Sequence, residues 1–294
     1  MSQAGSGRPQ ERTTFHRGAL SLSAIVHRPH AKPRAIVLAL HGGGYGASYW
    51  HHPDHSLLAR AEKRGMVGIA IDRPGYGAAG QTNMSLTEQM DVLFDLFAAL
   101  VAHHDGVPLL AAGHSMGAIL ALMMAASPRA PLISAVDASG VPFLYPDAVR
   151  DALAAREPAP AQTHFPPLER PHVRAAFYGP DGSFAPEVLV YDAGCAAPIP
   201  TAEIPDTAGA PETLPALLPE IACPVRLSFA EHEKSSVVDD DVIARARSGL
   251  AANPASRVRV EAGAGHNISL HNGGGRFHDA MLDWFETSVA MSNR

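Results

Sequence analysis

Cysteine is scarce in this chain. Cys195 and Cys223 are the only two in 294 residues, which excludes a fold stapled by disulfides and makes reduced thiols in a cytoplasm the expectation. Long apolar runs are missing as well. None approaches the roughly 20 residues that a membrane-spanning helix needs. Met1 to Arg12 holds Gly, Ser, Gln and Arg without an apolar leader segment, and reads as a disordered tail. Positive charge is in deficit: 23 Lys and Arg face 29 Asp and Glu, for a net charge of −6 without a basic stripe. Nucleic acid is therefore not an expected partner. The sixteen histidines form no Cys/His cluster, so no metal is expected. No G-x-x-x-x-G-K-[ST] run occurs, so nucleotides are discounted and no cofactor is implied.

What the chain does have is apolar residues, 46% of the total, enough for a sizeable core. They are arranged in alternating strand and helix patterns. Strands are predicted at Thr13 to His16 and Ala19 to His27. Arg34 to Leu40 and Met66 to Ile71 are continuous apolar runs, as strands buried on both faces require. A helix fits Asp54 to Arg64. A long amphipathic helix fits Leu86 to His103, with Ser85 and Glu88 as a capping box. Further strands fit Val107 to Ala112, Leu132 to Ala138, Pro224 to Ala230 and Arg257 to Glu261. Helices fit Met116 to Ala126, Val237 to Ala251 and Ser269 to Met291. This rhythm predicts an α/β fold with a doubly wound, mostly parallel sheet.

The rhythm breaks between Pro142 and Pro219. That stretch holds more than half of the chain's 25 prolines. It is too long for a plain connection, and short helices fit Asp147 to Arg156 and Pro167 to Phe177. The expected organisation is a tail over 1–12, a core over 13–141 and 220–294, and a helical cap inserted over 142–219.

The chemistry is carried by Gly113-His114-Ser115-Met116-Gly117, a G-x-S-x-G run where an apolar strand meets a helix. A serine there sits on a sharp turn with its hydroxyl pushed outward, and the flanking glycines leave room for that turn. A serine hydroxyl is a weak nucleophile at neutral pH and needs a base, which in turn needs an orienting carboxylate. His41-Gly42-Gly43-Gly44, Asp72-Arg73-Pro74-Gly75-Tyr76-Gly77, the serine run, Ala230-Glu231-His232-Glu233 and Gly265-His266 together resemble the α/β-hydrolase superfamily over nearly the whole chain.

The resemblance implies Ser115 as nucleophile, His266 as base and Glu233 as the acid, where most members carry Asp. Some members take the acid from the strand after the elbow, which here points to Asp137. The implied oxyanion donors are the main-chain N–H groups of Met116 and Gly43, with Gly42 and Gly44 as alternatives to Gly43. The turn from Asp72 to Gly77 is expected to be structural. Tyr45, Tyr49 and Trp50 either line the acyl pocket or pack in the core.

The implied activity is hydrolysis of a carboxylic ester or thioester of a mostly apolar small molecule. Two readings use the same residues. An acyltransferase or cyclase would replace water with another acceptor. His41 to Trp50 also resembles the glycine loop of hydrolases that cleave carbon–carbon bonds in vinylogous diketones, although those carry Pro at the place of Tyr45 and Asn at that of His114. A non-catalytic receptor on the same fold is the alternative from another class. Few basic residues flank the expected site, so a strongly anionic substrate is not expected. No membrane partner is expected.

Overall fold

The computed structural model describes residues 11–292. The tail expected over Met1 to Arg12 lies outside the described residues up to position 10. Beyond it the expectation is corrected, because Glu11 and Arg12 open the first strand. That strand, β1 (Glu11–Arg17), pairs antiparallel with β2 (Leu20–His27) across a turn at Gly18. There follow β3 (Ile36–Leu40), α1 (Leu57–Lys63), β4 (Val67–Ile71), α2 (Leu86–His103), β5 (Leu109–His114), α3 (Met116–Ala125) and β6 (Ala135–Ser139).

A long insertion then carries α4 (Asp147–Ala154), β7 (His164–Phe165), α5 (Arg170–Phe177), α6 (Val188–Gly194), β8 (Ile199–Pro200), α7 (Glu203–Ala208) and α8 (Ala210–Leu217). The chain closes with β9 (Val225–Ala230), α9 (Asp240–Gly249), β10 (Arg257–Glu261) and α10 (Gly274–Ser292). The two free cysteines are Cys195 and Cys223, whose thiols burial pushes up to about 12. Among the described residues no helix is long and apolar enough to cross a membrane.

Eight strands form one sheet in the order β1-β2-β4-β3-β5-β6-β9-β10. β2 is antiparallel to both its neighbours, and every pairing from β4 to β10 is parallel. Every residue of β3, β4, β5, β6 and β9 is buried. Helices on both faces of a parallel sheet require that pattern. The edge strand β10 instead has no buried residue and carries Arg257, Arg259 and Glu261, charges that discourage pairing with another chain.

Period-two alternation sends Ile36, Leu38 and Leu40 to one core layer and Val37 and Ala39 to the other. The first layer packs against α2, α3, α8 and α9. The second packs against α1 and α10. The capping box at Ser85 and Glu88 is formed. α10 begins at Gly274 rather than Ser269. Ile268–Leu270 is a 3-10 turn, and His271 is held out of the helix by hydrogen bonds described below.

Candidate active site

The elbow follows from close packing. Gly113 lies so near α3 that a Cβ would meet the Ala118 Cα at 2.5 Å, and a Cβ on Gly117 would meet the Leu40 carbonyl oxygen at 2.3 Å. Only glycine fits at either position. Between them Ser115 adopts φ 52° and ψ −121°, a strained conformation for a residue with a side chain. Its N–H donates to the Ser139 carbonyl at 2.8 Å, which fixes the turn to β6.

Ser115, Met116, Gly43 and His266 line one cavity of about 640 Å³. His266 Nδ1 lies 2.9 Å from Glu233 Oε2, and the Glu233 side chain is 1% exposed. The other oxygen of Glu233 accepts the N–H groups of Lys234 and Ser235 at 3.0 and 2.8 Å. Burial alone would raise the Glu233 pKa. The adjacent His266 and these hydrogen bonds outweigh it and hold the carboxyl below its usual range. Glu231 is exposed and accepts the Gly263 N–H.

Asp137 sits elsewhere. It is fully buried within the sheet and pairs with Arg226 Nη1 at 2.5 Å, and Arg226 also reaches Glu261. Burial raises its pKa against the pull of Arg226. The structure therefore joins Glu233, not Asp137, to His266.

The histidine loop is braced from several sides. His271 Nε2 accepts the N–H groups of both Gly265 and Gly179 at 3.0 Å, and its Nδ1 lies 3.0 Å from the Asn267 carbonyl. Two donors on Nε2 fix the neutral Nδ1–H tautomer. Burial pulls the His271 pKa down to about 4. Asn267 donates to Tyr45 Oη and to Asp192 of α6, and Asp192 also accepts from Tyr45 and from Arg170 of α5. The Phe177 ring, at the end of α5, lies 4.9 Å from the His266 ring. His114 lies on another side at 4.8 Å, and burial keeps it neutral by depressing its pKa.

The glycine loop is anchored from below. The Arg73 N–H donates to His41 Nε2, so the His41 proton is on Nδ1 and donates to the Gly42 carbonyl at 2.8 Å. Arg73 Nε donates to the His41 carbonyl at 2.9 Å, and its Nη1 pairs with Glu203 of α7 at 2.5 Å. Tyr76 donates to Glu203 at 2.7 Å and accepts the Gly44 N–H at 3.4 Å. Gly44 is thereby engaged, and Gly43 is the loop glycine on the cavity wall. A Cβ on Gly43 would meet the Met116 sulfur at 2.3 Å, so the two expected oxyanion residues are in direct contact. Met116 opens α3, where first-turn N–H groups lack an intrahelical partner.

Tyr45, Tyr49 and Trp50 are buried in the core layer facing α1 and α10, off the cavity wall. The wall is built instead by residues that sequence reasoning passed over. Val149 and Leu153 come from α4, Leu168 and Phe177 from α5 and its approach, and Ile199 from β8. The expectation of few basic residues is corrected, because Arg156, His172 and Lys234 also line the cavity. Val149, Leu153, Leu168 and Phe177 fall within the two short helices expected in the insertion, but no motif marked them as lining residues. Ile199 lies outside both patterns, in a strand of two residues that is too short for a period to show.

A sequence profile described as the alpha/beta hydrolase family matches residues 36–280. A monoacylglycerol lipase of Mycolicibacterium smegmatis is 29% identical over 104 residues, 34% of this chain and only 35% of that lipase's length. The crystal structure of Paleococcus ferrophilus monoacylglycerol lipase superposes with a TM-score of 0.68 at 18% identity, covering 92% of this chain and 99% of that one. A soluble variant of Saccharomyces cerevisiae monoglyceride lipase, in complex with a substrate analogue, gives 0.70 at 14% identity, covering 95% of each. With the profile spanning most of its length, the chain belongs to the alpha/beta hydrolase family.

Proposed function

We propose that this protein is a serine hydrolase that cleaves a carboxylic ester or thioester of a mostly apolar small molecule through an acyl-enzyme on Ser115. The observation that carries the reading is the strained Ser115 lining the same cavity as His266, whose Nδ1 is held by Glu233. The monoacylglycerol lipases among the relatives support an ester as the substrate class, and the apolar wall suits an aliphatic acyl or alkyl arm.

Glu233 accepts the Nδ1 proton of His266, which leaves Nε2 as the base. Ser115 Oγ loses its proton to Nε2 and bonds to the carbonyl carbon. The N–H groups of Gly43 and Met116 receive the developing oxyanion, and donors of this kind can contribute about 3 kcal/mol each. The imidazolium returns the proton to the departing alcohol or thiol as the acyl bond breaks. Water, deprotonated by the same nitrogen, then releases the acid and restores Ser115. His114 remains neutral, so it places no second cation beside the imidazolium.

Intact mass after treatment with an organophosphonate tests the reading. One adduct per chain in the wild type, absent in Ser115→Ala, with turnover of p-nitrophenyl acyl esters, is the expected result. Labelling that persists in Ser115→Ala would remove the serine from its role.

A further inference from the structure

Arg156 follows α4 and stands on the wall of the cavity that Ser115 and His266 also line. Its guanidinium carbon lies 4.8 Å from the ring centroid of the buried Phe165. Among the described residues, no hydrogen bond or ion pair engages its guanidinium N–H groups. Burial depresses its pKa with no carboxylate to offset the effect. The buried Arg73 and Arg226 pair with Glu203 and Asp137, and the half-buried Arg170 pairs with Asp192.

A guanidinium stacked on a ring keeps its planar N–H edge free, a shape that matches a carboxylate through two parallel hydrogen bonds. The nearby C-terminal carbonyls of α4 favour a cation here, but they leave that edge unused. The rest of the wall leans the same way. Lys234 donates to the Ala175 carbonyl and has no carboxylate partner. The single acid facing them, Glu169, is exposed, where water and salt screen it.

We propose that Arg156 is a specificity residue that binds a carboxylate carried at the far end of the substrate's apolar arm. The proposal rests on the ester-hydrolase reading above and narrows its substrate class to half-esters of dicarboxylic acids or esters of hydroxy acids.

The test uses two pairs of aliphatic esters of equal length, followed by pH-stat. In one pair the acyl arm ends in carboxylate or in methyl. In the other the alcohol arm does. Hydrolysis of the methyl-ended esters by the wild type, lost in Ser115→Ala, reports on the hydrolase reading alone. Arg156 is tested by the ratio within each pair. The wild type is expected to favour the carboxylate in one pair by about tenfold or more in kcat/KM, chiefly through KM. The ratio should fall as salt is raised and vanish in Arg156→Gln, while Arg156→Lys keeps part of it. A purely structural Arg156 would change both members of a pair alike. Equal rates within both wild-type pairs, or a preference that survives Arg156→Gln, would overturn the proposal. Should Arg156→Gln not fold, the wild-type ratio, its salt dependence and Arg156→Lys decide.

Discussion

Glu203 of the insertion and Arg73 of the core loop after β4 form an ion pair in which neither side chain is exposed. Both also hold the glycine loop, Arg73 through the His41 carbonyl and Glu203 through Tyr76 and Gly44. Glu203→Gln leaves a buried guanidinium without its counter-charge, which typically costs about 3–5 kcal/mol. The expected outcome is a lower Tm, and a drop in kcat of roughly tenfold with little change in KM as the proposed Gly43 donor shifts. Thermal melts and steady-state kinetics check this, and an unchanged kcat in a folded variant would uncouple the pair from the loop.

Glu233→Gln keeps the shape of the acid but cannot accept the His266 proton as an anion. Activity toward p-nitrophenyl esters should fall on the order of 10⁴-fold. Asp137→Asn removes the charge facing Arg226 in the sheet and should lower Tm while leaving the pH–rate profile in place. The reverse ranking of the two variants in kcat/KM would move the acid role to Asp137.

His271 is neutral in the folded chain and titrates there at about 4, against about 6.5 when unfolded. Between those values the unfolded chain binds the extra proton. Stability is therefore fully present above about pH 6.5 and declines as pH falls toward 4. His278, depressed by burial to about 3, acts in the same direction. Denaturant unfolding across this window should show His271→Gln losing close to one proton from the wild-type slope.

Gly117→Ala drives a methyl group into the Leu40 and His41 carbonyls. Backbone cannot move aside as a side-chain end can, so a loss of more than about 2 kcal/mol is expected. Urea titration measures it. A variant as stable as the wild type would mean that the elbow is looser than these contacts imply.

Most of the sheet was legible because burial on both faces writes itself as runs such as Ile36 to Leu40, and the Ser85 cap marked α2 by chemistry alone. Ser115, His266 and Glu233 were expected together because each sits in a short motif whose order along the chain is informative, and the structure brings His266 to Glu233 and puts Ser115 and His266 on one cavity. Asp137 competed because a carboxylate at a strand end looks the same whether it meets His266 or Arg226. That pairing is a long-range fact. The insertion was least legible. Glu203 and Asp192 are ordinary acids in helices of six and seven residues, too short for a period to show. Tyr45, Tyr49 and Trp50 sit beside the glycine loop in sequence, yet the loop turns them into the core rather than toward the cavity.

α4 has no fully buried residue of its own. Leu153 packs half-buried against the core, and Val149 and Leu153 both line the cavity that Ser115 lines. An isolated helix of eight residues is marginal in water. Beyond its contacts with the core and α7, its apolar side borders the cavity. A ligand in the cavity would add apolar contact to a segment that has little of its own. If the acyl arm proposed above occupies the cavity, amide exchange in α4 is expected to be slower in the presence of that ligand than in the free protein.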